Sequence, residues 1–197
     1  MKKIIFSLVA LLSLFVTQLQ AAETYNFDPY HTAVSFKINH FGYSNPSGKW
    51  YANGTLIYDE ANVANSKVNV IIKVGDIVTG IPKLDEHLLG KDFFNVAEFP
   101  TATFVSDKIK AKGKDKLVVT GNLTLHGVTK PVTLYVTINK IAVNPFFNKK
   151  VIGISASGEI KRSDFGISAY LPDLGDKVTL DIEAEAQLAD IPPAAKR

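Results

Sequence analysis

Apolar and polar residues alternate along most of the chain after residue 24. In the clearest stretch, between Val178 and Leu188, every second residue is apolar. A period of two places an apolar face and a solvated face on one strand. The pattern predicts nine strands, at about residues 24–28, 32–41, 49–59, 67–76, 101–110, 116–125, 132–141, 151–161 and 177–189.

The predicted strands follow one another closely, and this indicates an all-β domain. Short connections favour antiparallel pairing of neighbours in sequence. With little helix to cover them, the apolar faces must meet in a packed sandwich or around the inside of a closed barrel. The alternation alone leaves both architectures open, although only a barrel of moderate size would be expected to enclose an apolar ligand.

One segment departs from the alternation and predicts a short helical insert near residues 82–96. Leu84 and Leu88 are four residues apart, Pro82 suits a first helical turn, and Gly90 suits the end of a helix. A second turn is expected at about residues 92–96. Such an insert between two strands of a barrel would lie over a mouth or against the outer wall.

The two ends of the chain predict export followed by a single domain. Lys2 and Lys3 precede an apolar run, and Gln20-Ala21-Ala22 offers small residues for cleavage. We therefore expect a cleavable signal peptide at 1–22, a domain at 23–190, and a flexible tail at 191–197, where Pro192 and Pro193 would end any strand. No later apolar run is long enough to span a bilayer, so stable membrane insertion is not expected. The predicted location is the periplasm.

Charge and composition exclude several classes of function. Removing Lys2 and Lys3 would lower the net charge from +3 to +1, which leaves no strong field for nucleic acid. The lysine-rich stretch Lys108–Lys116 is interpreted as a solvated hairpin loop. The chain has no cysteine, and this excludes thiolate nucleophiles, thiolate metal sites and iron–sulfur clusters.

No spacing of residues predicts a catalytic, metal or cofactor site. The four histidines are His31, His40, His87 and His126, and nothing in their spacing brings three metal ligands together. The chain lacks a Gly-x-Ser-x-Gly nucleophile elbow and a phosphate-binding glycine loop. What remains is a large amount of apolar surface, for which ordinary packing is the simplest interpretation.

Several longer motifs resemble the YceI-like family of exported proteins. They are Asp28–His40, Asp85–Leu88, Asp92–Phe104, Gly121–Val132, Arg162–Ile167 and Gly175–Val178. These motifs occur in the same order as in the family, and they extend across about residues 25–188. Thr32 stands where serine is usual, and Trp50 stands where phenylalanine is common and could alter the shape of a pocket.

The resemblance implies an extended, lipocalin-like, eight-stranded antiparallel barrel whose interior holds a polyisoprenoid or another long-chain lipid. It also implies pairing as homodimers. Apolar strand residues are expected to line the interior, three phenylalanines to lie near a mouth, and His40 or Arg162 to meet the polar head of the ligand. The expected ligand-binding residues are Val34, Phe36, Ile38, His40, Trp50, Val70, Ile72, Phe93, Phe94, Phe104, Leu134, Val136, Arg162 and Phe165.

Two other classes of function stay open beside the carrier. An enzyme acting on a lipid-like substrate would use His31 or His87 with a nearby aspartate. A structural or stress-related protein would instead have a dry core and an exposed apolar patch. Our prediction is a binding protein with no catalytic residue, no metal and no cofactor.

Overall fold

A computed structural model describes residues 21–190, and this part of the chain forms one antiparallel sheet that closes on itself. Residues 1–20 of the predicted signal peptide and the whole predicted tail, 191–197, lie outside the described residues. The strands are β1 (Glu23–Phe27), β2 (Ala33–His40), β3 (Ser47–Tyr58), β4 (Lys67–Lys73), β5 (Thr101–Ala111), β6 (Lys116–Leu125), β7 (Val128–Val143), β8 (Lys150–Lys161) and β9 (Leu174–Leu188).

Closure leaves eight strand positions around the barrel, because β1 and β2 share one of them. Both strands pair with β3 and with β9: β1 meets the end of each partner, and β2 meets the start of each. Pairing of β3 with β4 completes the ring. The predicted eight-stranded barrel is therefore confirmed, and the sandwich is excluded.

The connections divide between two ends of the barrel. The upper end carries residues 41–46, 74–100, 126–127 and 162–173, and the lower end carries residues 59–66, 112–115 and 144–149. The connection between β6 and β7 is a two-residue turn in which His126 and Gly127 both have positive φ, at 50° and 72°. That geometry matches the right-handed twist of a hairpin, and β7 consequently begins four residues earlier than the sequence predicts.

The helical insert lies at the upper end, where α1 spans Pro82–Leu89. Pro82 stands in its first turn, and the N–H of Gly90 donates to the carbonyl of His87 where the helix ends. The carboxylate of Asp85 accepts from the N–H and the hydroxyl of Thr79, at 2.8 and 2.6 Å, which fixes the entry of the chain into the helix. Among the described residues, no helix is long and apolar enough to cross a membrane.

Side chains pack the lower part of the barrel most densely. One buried cluster joins β1, the ends of β3 and β9, and the start of β8, and consists of Tyr25, Phe27, Leu56, Tyr58, Ile152, Ala184 and Ala186. Tyr25 is fully buried there, and its hydroxyl donates to Glu23, which also pairs with Lys150. Burial and the carboxylate of Glu23 together raise the pKa of Tyr25. These buried side chains occupy much of the lower end of the barrel.

Candidate binding cavity

A cavity of about 620 Å³ occupies the upper part of the barrel. This volume lies within the range of about 300–1,000 Å³ that is typical of small-molecule sites. Strands, α1 and the upper loops all contribute side chains to its wall. The strand residues among them are Val34, Phe36, Ile38, His40, Ser47, Trp50, Ile72, Ala102, Leu123, Leu125, Ile160, Leu174, Val178 and Leu180.

Trp50 anchors an aromatic wall on one side of the cavity. Its indole N–H donates to the buried carbonyl of Val74 at 3.0 Å, which fixes the ring. The ring lies 5.0 Å from Phe36 and meets Phe94 edge-on at 5.3 Å, both measured between centroids. A Cβ at Gly48 would come within 2.7 Å of the Phe36 ring, so the glycine leaves the space that this ring occupies.

Helix α1 and the turn after it cover part of the mouth. Leu84 and Leu88 of α1 and both Phe93 and Phe94 face the cavity, so the insert lies over the mouth rather than against the outer wall. The His87 imidazole packs edge-on against Phe93 at 5.1 Å. A helical segment with one apolar face is a natural cover, since it satisfies its own backbone hydrogen bonds.

A second, smaller cavity of about 150 Å³ lies below the first. Both are bordered by the same ring of side chains, which we call the neck: Val34, Ile72, Ala102, Leu123 and Leu180. Below the neck the wall is almost wholly apolar. A long, thin apolar chain entering through the mouth could therefore pass the neck into the lower cavity.

Polar groups are few and lie toward the mouth. They include the side chains of His40, Ser44, Thr79 and His87. Within residues 21–190, neither imidazole lies within salt-bridge distance of a carboxylate, and no cluster of metal-binding side chains occurs. This arrangement can hold a polar head in place at one end of an apolar tunnel.

Arg162 lines the cavity but is engaged by the backbone. Its Nε, Nη1 and Nη2 donate to the carbonyls of Gly175, Ile167 and Leu174 at 2.8, 3.1 and 2.9 Å. Burial lowers its pKa, and the negative charge of Asp176 opposes that effect. The guanidinium thus joins the segment after β8 to Ile167 and to the first residues of β9, a role the sequence analysis did not foresee.

The predicted ligand-binding residues divide between the two cavities, with one exception. Most of them line the upper cavity, namely Val34, Phe36, Ile38, His40, Trp50, Ile72, Phe93, Phe94 and Arg162. The lower cavity brings in Val70, Phe104, Leu134 and Val136. Phe165 lies at neither wall, because it is fully buried in a side-chain cluster with Val132 and Ile109. Contact of these residues with a ligand stays a prediction.

Sequence reasoning missed the wall residues that the upper loops contribute. They are Phe41, Ser44, Pro46, Val74, Thr79, Ile81, Ile167 and Tyr170. Residues in irregular segments follow no period, so alternation gives no sign of them. For the loop side of the cavity, the sequence offered only the spacing of Leu84 and Leu88 and the family motifs that contain Phe93, Phe94 and Arg162.

The two remaining histidines lie outside both cavities. His31 Nδ1 is 2.9 Å from a carboxylate oxygen of Asp28, which also accepts from Gln187 of β9. The hydrogen bond to Asp28 raises the pKa of His31. His126 packs on Phe99, with ring centroids 4.6 Å apart, and its Nδ1 lies 3.0 Å from the carbonyl of Phe165. Asp28 thus joins the connection between β1 and β2 to β9, and His126 joins the turn between β6 and β7 to the backbone of Phe165.

Comparison with known proteins places the chain in one family. The model of the YceI-like domain matches residues 25–186. The protein YceI of Salmonella arizonae is 40% identical over 188 residues, which are 94% of this chain and 97% of that protein. The crystal structure of the YceI protein of Campylobacter jejuni is similar, with a TM-score of 0.70, 33% identity, and coverage of 77% of this chain and 90% of that one. A polyisoprenoid-binding domain of Saccharophagus degradans shares the fold at a TM-score of 0.64 and 16% identity, over 84% of this chain and 98% of that one. The chain belongs to the YceI-like family.

Proposed function

We propose that this protein is a periplasmic carrier that encloses a polyisoprenoid or a similar long-chain lipid in its barrel and performs no chemistry on it. One observation carries the proposal: the five neck residues border both the apolar cavity of about 620 Å³ and a second apolar cavity below it. A ligand that fills both spaces must be long, narrow and apolar, with its polar group at the mouth. The similar fold of the Saccharophagus domain, which is described as polyisoprenoid-binding, supports this class of ligand.

The expected affinity is sufficient for a carrier. Burial of each methylene group contributes about 0.8 kcal/mol, so ten groups contribute about 8 kcal/mol, or a micromolar dissociation constant before association costs. A polyprenyl chain has several times that apolar material, and its surplus can offset the cost of ordering the chain. Such a lipid dissolves poorly in water, so a protein that carries it through an aqueous compartment must enclose it.

The polar groups support binding rather than catalysis. A histidine acting as a general base needs a positioned partner and a substrate proton within hydrogen-bond reach. The imidazole that has an aspartate beside it, His31, lies on the outside of the barrel. His87 faces the cavity but packs against an aromatic ring. The near-neutral charge of the chain after removal of its predicted signal gives no support to a nucleic-acid partner.

The proposal is tested by extracting protein purified from the periplasm with organic solvent and identifying the released lipid by mass spectrometry. Two variants on adjacent residues of β4 control the experiment. Ile72 lies in the neck, whereas the side chain of Ile71 is outside the cavity and 45% exposed. We expect a long-chain lipid from the wild type and from Ile71→Trp, and markedly less of it from Ile72→Trp, because an indole ring in the neck would exclude the far end of the lipid from the lower cavity.

Two results would overturn the carrier assignment. The first is a wild-type protein that releases no lipid and takes up none when the delipidated protein is offered a long-chain prenol. The second is lipid recovered in equal amounts from both tryptophan variants, because that lipid would not be held in the barrel. Arrival of the protein in the periplasmic fraction without residues 1–22, checked by its intact mass, tests the location.

A further inference from the structure

We propose that the rim of the cavity mouth docks on a phospholipid surface, so that lipid passes between bilayer and barrel without crossing water. The rim is formed by four exposed side chains: Phe41, Tyr43, Ile81 and Tyr170. This inference rests on the proposed function, because docking matters only if the cavity holds lipid. It adds the surface from which the ligand enters.

The rim consists of large apolar and aromatic side chains that are substantially exposed. Tyr43 is 90% exposed, Ile81 57%, Tyr170 55% and Phe41 43%. Phe41, Ile81 and Tyr170 also form part of the cavity wall, so the apolar surface continues from the outside into the lumen. Large exposed apolar patches of this kind mark interaction sites.

Backbone geometry holds two of these aromatic residues at the rim. Phe41 and Tyr170 adopt positive φ, at 53° and 60°. That region is unfavourable for bulky residues, and strain of this kind persists where the surroundings impose it, often at functional sites. The N–H of Phe41 donates to the carbonyl of Asp173 at 3.2 Å, which joins the two loops into one edge. The Tyr170 ring lies 6.1 Å from Phe93, on the cover of the cavity.

Charge favours a lipid surface as the partner. Residues 41–46 and 166–172 contain no charged side chain, and the exposed charges beside them, Lys83, Glu86 and Asp173, are of both signs, whereas the opposite end of the barrel carries the lysines of residues 110–116. Tyrosine and phenylalanine suit the interface of a bilayer, where a ring can be buried while a hydroxyl stays hydrated. Because the charges beside the rim are few and of both signs, the docking should not need anionic lipids and should change little with salt.

The test compares two aspartate variants at opposite ends of the barrel. Tyr43 does not line the cavity, so Tyr43→Asp should leave the affinity for lipid unchanged. Phe146, 93% exposed in the hairpin between β7 and β8, supplies the matched control, Phe146→Asp. Cosedimentation of delipidated protein with phosphatidylcholine vesicles measures docking directly, whatever the cavity holds. Loss of one large side chain that is buried in the bilayer on docking corresponds to an affinity for vesicles that is about tenfold lower.

We expect Tyr43→Asp to reduce cosedimentation about tenfold and Phe146→Asp to leave it unchanged. Uptake of a long-chain prenol from the same vesicles should slow to a similar degree, with a rate that rises with vesicle concentration because transfer occurs by collision. Uptake from detergent micelles separates the two proposals. A wild type that takes no prenol from micelles refutes the carrier, while the cosedimentation result still decides the docking.

Two outcomes would overturn the docking. One is equal cosedimentation of the wild type and Tyr43→Asp. The other is a wild type that does not cosediment with vesicles but self-associates in analytical ultracentrifugation, while Tyr43→Asp does not self-associate. The second outcome would assign the rim to contact with another copy of the chain.

Discussion

The neck between the two cavities should set the length of lipid that the barrel accepts. Ala102 is the smallest of the five neck residues, and its side chain borders both spaces. Replacing it with phenylalanine would place a ring in the passage while leaving the upper cavity open. We therefore expect Ala102→Phe to exclude the far end of a long ligand from the lower cavity without preventing binding in the upper one.

The size of the effect follows from the volume of the lower cavity. A methylene group is about as large as a water molecule, about 30 Å³, so the 150 Å³ of this space accommodates about five such groups. At about 0.8 kcal/mol each they contribute about 4 kcal/mol, or about a thousandfold in dissociation constant. For a lipid too short to reach the neck, Ala102→Phe should leave the dissociation constant unchanged.

The assay is a titration of delipidated protein with a series of lipids of increasing chain length. Trp50 is the single tryptophan of the chain and faces the upper cavity, so its fluorescence reports occupancy by every member of the series. Wild-type affinity should rise with length until the lower cavity is full, and the affinity of Ala102→Phe should stop rising earlier. Ala111→Phe on the same strand, at an exposed position, controls for the added ring.

A uniform loss of affinity across the whole series would refute this reasoning, because it would show a general disturbance of the barrel. So would an unchanged dependence on length, which would mean that ligands never pass the neck. The free energy of unfolding of each variant, measured in urea, identifies a change caused by overpacking, which typically costs about 1–3 kcal/mol.

Much of the barrel could be predicted because its strands obey one period. The alternation located all nine strands, and the break in it near residues 82–96 located the helical insert. Periodicity could not distinguish a barrel from a sandwich, since both bury one face of every strand. The resemblance to the YceI-like family supplied that choice.

The hollow interior could not be derived from the pattern of apolar residues. Phe36 and Phe165 look alike in sequence, yet one borders free space and the other is packed solid. The difference depends on the distance between opposite walls of the barrel. That distance is set only when the sheet closes, so no single strand reveals it. The engagement of Arg162 was equally hidden, because two of its carbonyl partners begin β9, twelve and thirteen residues further along the chain.

Three further predictions concern single contacts. Trp50→Phe should lower the free energy of unfolding by about 1–3 kcal/mol, measured in urea, because the buried carbonyl of Val74 loses its donor; no change would mean that water replaces the indole. His31→Gln should remove a pH dependence of stability that His40→Gln leaves intact. The pKa of His31 is raised by its hydrogen bond to Asp28, so its contribution is fully present below about pH 6.5 and is lost as the pH rises through the folded-state value. Burial would raise the pKa of Asp28, but hydrogen bonds from His31 and the Tyr30 N–H lower it, so that contribution is fully present above about pH 3.9 and is lost as the pH falls through the lower folded-state value. The check is to measure the thermal unfolding of His31→Gln and His40→Gln over this pH range. If stability depends on pH in the same way in both variants, the pairing of His31 with Asp28 is contradicted. Arg162→Lys separates two roles of one residue. A lysine keeps the charge but cannot reach three carbonyls arranged around a planar guanidinium, so we expect a loss of about 3 kcal/mol or more in the free energy of unfolding of the lipid-free protein. If Arg162 instead serves mainly to bind the head of the ligand, stability will be unchanged and the affinity for lipid will fall, and that result would restore the role predicted from the sequence.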